Sequence, residues 1–96
     1  MITSKQRSYL RSLANTMEPI FQLGKGGVEE TFLKQVDEAL EARELIKIHV
    51  LNNSGLEARE ASDYICRELG CEGIQAIGSK FVLYRRSEKK PKIELP

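Results

Sequence analysis

At 96 residues the chain can bury one hydrophobic core but has no room for a separate catalytic domain. Hydrophobic residues make up 41% and charged residues 30%, a composition that argues against the disordered and membrane classes. The net charge is only +1, yet 11 of the 14 acids and five of the 15 bases lie between positions 29 and 72, so basic flanks enclose an acidic middle.

Thr3 and Gln6 form a capping-box pattern, and Leu10, Leu13, Ala14 and Met17 follow at helical spacing, predicting a first helix over Ser4–Thr16. Its other face carries Lys5, Arg7 and Arg11, either solvated or part of a basic patch. Pro19 interrupts the helix, and Ile20–Leu23 reads as a short buried strand ending at Gly24. Val28, Phe32, Leu33, Val36, Ala39 and Leu40 mark one face of a second helix, with Glu29 and Glu30 in its first turn and Arg43 at its end, as the helix dipole favours. Ile46, Ile48 and Val50 alternate with Lys47, His49 and Leu51, which predicts a strand with one covered and one partly wet face, and helices mainly on one side of the sheet. Ser54 and Glu57 form a second capping-box pattern opening a third helix through Ala58, Ala61, Ile65 and Leu69, which Gly70 stops. Ile74–Ile77 and Lys80–Arg85 read as strands joined by the two-residue turn Gly78-Ser79.

The order α-β-α-β-α-β-β predicts an α/β fold with a four-stranded mixed sheet. One domain is expected over residues 1–86. The basic segment 87–96, with two prolines and little to bury, is expected to be mobile. With no apolar run long enough to span a bilayer and a polar, basic start, the expected location is cytoplasmic and the expected state a monomer.

The most informative segment is Gly24-Lys25-Gly26-Gly27, between a strand and a helix. Glycines keep side chains from holding a ligand away from the backbone and permit the positive φ angles that let successive N–H groups converge. The following helix adds unpaired N–H groups and a positive dipole end, and Lys25 adds a full charge, so the loop suits a phosphate. A P-loop would need a Ser or Thr after a Gly-Lys pair, and a dinucleotide fold would need a third glycine at position 29, which is Glu29; both fail on spacing. What fits is G-x-x-G, the loop by which KH-type domains clamp a nucleic-acid backbone.

Leu23–Val28, Glu38–Ile48 and Ile77–Arg85 together resemble the CRM domain family, whose bacterial single-domain members are the YhbY-like proteins. The resemblance runs from about Ser4 to Arg85. It implies a sheet backed by helices, similar to the C-terminal domain of translation initiation factor three, and association with precursors of the large ribosomal subunit. The family's RNA-contacting loop falls on Gly24, Lys25, Gly26 and Gly27. The basic residues Lys5, Arg7, Arg11, Lys47, Lys80, Arg85 and Arg86 are candidates to extend that surface, on the expectation that folding brings the basic flanks together opposite the acidic middle.

No metal, cofactor or catalytic set is expected. Cys66 and Cys71 are too few for a zinc site and read as small buried or half-buried thiols, and His49, the only histidine, reads as an exposed strand residue in preference to a base or phosphate contact on the wet sheet face. The six aromatic residues include no paired stacking motif. The competing reading is a protein-interaction module in which the G-x-x-G turn is only structural.

Overall fold

A computed structural model describes residues 2–52 and 55–96. The elements are α1 (Ser4–Ala14), β1 (Phe21–Leu23), α2 (Glu30–Arg43), β2 (Leu45–Val50), α3 (Ala58–Leu69), β3 (Glu72–Ile77) and β4 (Lys80–Tyr84), in the predicted order. The four strands form one mixed sheet in the order β1-β2-β4-β3, with β1 parallel to β2 and the remaining pairs antiparallel.

Local chemistry sets most of the boundaries. The α1 capping box is complete: the Gln6 amide donates to Thr3 Oγ1 at 3.1 Å and the Thr3 amide to Gln6 Oε1 at 3.0 Å. Gly70 ends α3 at φ 65°, and the amides of Gly70 and Cys71 both donate to the Cys66 carbonyl. That closure brings Cys71 Sγ to 3.6 Å from Cys66 Sγ. The predicted Ser54–Glu57 box has its first member outside the described residues; Glu57 is itself the N-cap of α3 and makes no side-chain cap bond. β1 is an edge strand in which only Leu23 is buried, not the fully buried strand expected, because it has one neighbour and one helix-covered face.

Cross-strand pairing sorts the sheet into two faces. Leu23, Ile46, Ile48, Val50, Phe81 and Leu83 point toward α2 and α3 and form the main core with Val36, Leu40, Ala61 and Ile65. Leu45, Val82 and Tyr84 point the other way, where with Ile74 they are covered by Leu10 and Ala14 of α1. Two helices therefore share one face as expected, while the third covers part of the opposite one.

The segment after Arg86 is docked rather than free. Ile93 and Leu95 pack on the second core, and Ser87 is 2% exposed. Glu44 Oε2 accepts from the Ser87 amide at 2.9 Å, and Glu44 Oε1 from the amides of Lys92 and Ile93 at 2.6 and 2.8 Å. Glu41 accepts from the Ser87 hydroxyl and from the amides of Glu88 and Lys89. The expectation of little to bury failed because the anchors are two carboxylates more than 40 positions away in sequence, which composition of the segment itself does not disclose.

Candidate nucleic-acid interface

The Gly24–Gly27 turn leaves the sheet from the buried Leu23, whose carbonyl accepts from the Leu51 amide at 2.9 Å. The Gly27 amide donates to the Gly24 carbonyl at 3.0 Å, closing the turn. Gly27 has φ 72°, so this position demands glycine. The other two glycines are not demanded by the fold. A Cβ on Gly24 would lie 3.6 Å from Leu51 Cδ1, an ordinary contact, and neither Gly24 nor Gly26 has a positive φ. A Cβ on Gly26 would meet only the flexible carboxylate of Glu29, at 2.5 Å. Bare main chain at positions 24 and 26 thus exposes the backbone where the turn itself would tolerate a side chain.

α2 starts at Glu30, two residues later than the sequence pattern suggested, and its N-cap Glu29 makes no side-chain bond to the first turn. The opening amides of the helix are left to solvent or to a ligand, at the positive end of the dipole. Lys25 is exposed at the tip of the turn. The Glu29 carboxylate beside Gly26 opposes an anion there, and being exposed it can swing aside.

Of the other predicted basic residues, Lys47 and Lys80 fall on the sheet face opposite α2 and α3, Lys80 at the end that carries the turn and Lys47 at mid-strand. Lys80 pairs with His49 across β4 and β2, His49 pairs with Gln22 of β1, and Gln22 is two residues from Gly24. Arg85 lies beyond the far end of β4, roughly 17 Å from Lys80 at the usual rise per strand residue. Its guanidinium bonds Asp37 Oδ1 at 2.6 Å, the Asp37 carbonyl at 3.0 Å and the Leu69 carbonyl at 3.2 Å, tying α2 and α3 to β4. Arg7 donates to the Gly73 carbonyl and lies 3.6 Å from Glu72 Oε1. Both arginines are engaged as internal ties. Arg86 borders a depression with Tyr84, Lys92 and Ile93 on the tail, and Lys5 is exposed on the first turn of α1. Arg11, half-buried, lies one turn before the end of α1.

The basic flanks thus do not merge into one surface: Lys25 and Lys80 lie at the end that carries the turn and Lys47 at mid-sheet, while Arg86 and the tail lysines lie at the opposite end. Of the acidic middle, Glu30, Asp37 and Glu68 line one depression between α2 and α3, together with Lys34. Among the described residues no three of His, Cys, Asp and Glu converge as metal ligands, and no helix is long and apolar enough to cross a membrane. Gln22 and His49 share a row with Lys80, which only the strand register reveals.

A mixed four-stranded sheet with helices on both faces and a glycine-rich junction from its edge strand into α2 defines an α/β domain. The chain belongs to the CRM (CRS1/YhbY) domain family, whose model matches residues 2–85. It is 45% identical to the Probable RNA-binding protein YqeI of Bacillus subtilis, with 100% of both chains covered. It is 36% identical to an RNA-binding protein of Haemophilus influenzae, over 99% of this chain and 95% of the relative. The solution structure of the hypothetical protein SAV1595 from Staphylococcus aureus, described as "a putative RNA binding protein", superposes with a TM-score of 0.79 at 45% identity over all of both chains.

Proposed function

We propose that this protein binds RNA through the sugar-phosphate backbone at Gly24–Gly27, with Lys25, Lys47 and Lys80 supplying charge, and that it acts as a monomeric, non-catalytic factor on cytoplasmic precursors of the large ribosomal subunit. The observation that carries the RNA contact is the pair Gly24 and Gly26: the turn does not require glycine at either position, yet both leave the main chain bare beside an uncapped helix start. The RNA-binding relatives support the ligand class. The ribosomal role rests on the family resemblance of the three segments quoted above.

The test is fluorescence anisotropy of a structured fragment of large-subunit ribosomal RNA with the wild type and with Lys25→Glu/Gly26→Asp. The variant keeps the fold, because Gly27 is untouched and position 26 meets only the movable Glu29 tip. Binding should weaken by about tenfold or more, and the wild-type affinity should fall steeply between roughly 50 and 200 mM salt as released counterions dictate. A folded variant that binds like the wild type would remove the turn from the contact.

A further inference from the structure

α1 and the tail cover only one half of their sheet face. The covered half is Leu45, Ile74, Val82 and Tyr84 under Leu10, Ala14, Ile93 and Leu95. The half nearer the Gly24–Gly27 turn is open, and the register aligns its residues in a continuous row across all four strands. Ile77 of β3 pairs with Lys80 of β4, Lys80 with His49 of β2, and His49 with Gln22 of β1. Behind this row Gln75 and Lys47 flank Val82, which is buried and belongs to the covered half. Asn15, just after α1, closes a shallow depression of about 220 Å³ with Lys47, Gln75, Ile77 and Lys80.

Two features of this surface ask for an occupant. Ile77 is 66% exposed, the most exposed large hydrophobic residue among those described, and it sits in a strand rather than a loop. Neither row contains a carboxylate, in a chain with 14 of them, while Lys47, Lys80 and the imidazole of His49 are present. An apolar side chain flanked by amides, an imidazole and two cations is complementary to nucleobases joined by anionic linkages. Such side chains reach base faces and edges only where the RNA strand is unpaired.

We infer that the open half of this sheet face is a binding surface for a single-stranded RNA segment that continues from the phosphate held at the Gly24–Gly27 turn. On this path Gln22, next to the turn, receives the first exposed base edge. His49 and Gln75 offer hydrogen bonds to bases further along, Ile77 packs against a base face, and Lys47 and Lys80 neutralise the intervening phosphates. The inference deepens the RNA-binding reading above and rests on its anchor at the turn.

Two fluorescent RNA probes separate the surfaces: a blunt hairpin, and the same hairpin with unpaired extensions of about ten nucleotides, within the usual range of a single-strand site. Ile77→Ser and His49→Ala change exposed or half-exposed side chains outside both cores, and thermal melts verify that each variant is folded. Each should weaken binding of the extended probe by on the order of fivefold, the scale of one lost apolar contact or hydrogen bond. Their blunt-hairpin affinity should not change. Ile77→Ser should also leave the salt slope of the extended probe unchanged, whereas Lys80→Ala should reduce it by about 0.7, the value for one phosphate contact on a single strand. Equal affinity of wild type and both sheet variants for the extended probe overturns the inference and leaves the turn as the sole contact. Intact binding of both probes by Lys25→Glu/Gly26→Asp overturns the anchor at the turn, and with it this path. Sedimentation showing a wild-type dimer that Ile77→Ser dissociates, with RNA affinity unaltered, would assign the surface to a second copy of the chain instead.

Discussion

Glu44 is a buried acid at φ 68°, the only non-glycine residue with positive φ among those described, and its two oxygens accept three amides of the C-terminal segment. With ψ −43° this backbone lies in a sparsely populated region that costs about 1–3 kcal/mol, so the side chain must return more than that. Hydrogen bonds to a charged group contribute about 1.5–3 kcal/mol each, but three of them cannot be lost at full value, because the freed segment can undock and let water meet its amides. The loss in Glu44→Ala is therefore capped by the docking free energy of residues 87–96, and about 3 kcal/mol is expected. At roughly 4–8 °C per kcal/mol for a chain of this size, that is a fall in Tm of roughly 12–24 °C. Glu44→Gly should lose about 1 kcal/mol less, since glycine relieves the backbone strain. Urea denaturation of wild type, Glu44→Ala, a chain truncated after Arg86, and the double variant forms a thermodynamic cycle. If Glu44 acts through the segment, truncation adds little to Glu44→Ala. Additive losses, or a Glu44→Ala loss below about 0.5 kcal/mol, would refute the clamp.

The same clamp makes stability depend on acid. The Ser87 hydroxyl, then the amides of Glu88 and Lys89, hold the Glu41 carboxyl down from 4.5 to about 2. Burial pushes Glu44 up, but the amides of Ser87, Ile93 and Lys92 outweigh it and its pKa is lowered too. Both folded-state values lie below the unfolded ones, so their stabilisation is complete above the ordinary carboxylate range and is lost as pH falls from about 5 toward about 2. Chemical denaturation across that range should show the decline in wild type and a shallower one in Glu41→Gln; equal slopes would contradict it. Arg85→Ala should lower stability by about 1–2 kcal/mol through the lost ties to Asp37 and Leu69 while leaving RNA affinity intact, and an affinity loss in the folded variant would return Arg85 to the interface. Cys71 donates a hydrogen bond to Cys66, which lowers the Cys66 pKa and raises that of Cys71. Iodoacetamide followed by peptide mass spectrometry should therefore find Cys66 alkylated first, and the reverse order would show the bond to run the other way.

Helices and strands were legible wherever local chemistry decides them. Thr3 and Gln6 announced the start of α1, Gly70 the end of α3, and the alternation from Ile46 to Val50 the covered face of β2. What the sequence could not disclose depended on distant partners. Lys80–Arg85 read as one continuous strand, but the strand stops at Tyr84, and Arg85 turns its guanidinium to Asp37 and Leu69. β3 begins at Glu72, two residues before the apolar run, and its register shifts between Gly73 and Gln75; that irregularity brings Ile74 into the second core although it interrupts the alternation. Ile74–Ile77 read as a strand without an assigned face, and only the pairing of Ile77 with Lys80 puts it on the open one. For the site, the turn and its lysine were readable from four residues. Which arginines belong to it was not, because charge patterning does not reveal which cations the fold has already paired.

The two ends of the sheet divide the work of this small domain. Around the tail, Glu41, Glu44 and Arg85 collect most of the long-range side-chain bonds, and the strained backbone is held there. Around the turn, Lys25 and Lys80 are exposed, α2 opens without a side-chain cap, and half of a sheet face lies uncovered. If the turn end accepts RNA as proposed, its cations and amides are not available for internal pairing, and the fold draws its stability from the other end. Variants at the two ends should accordingly add in free energy: loss of the Glu44 clamp lowers the unfolding free energy without changing the affinity of the molecules that remain folded, and loss of Lys25 does the reverse.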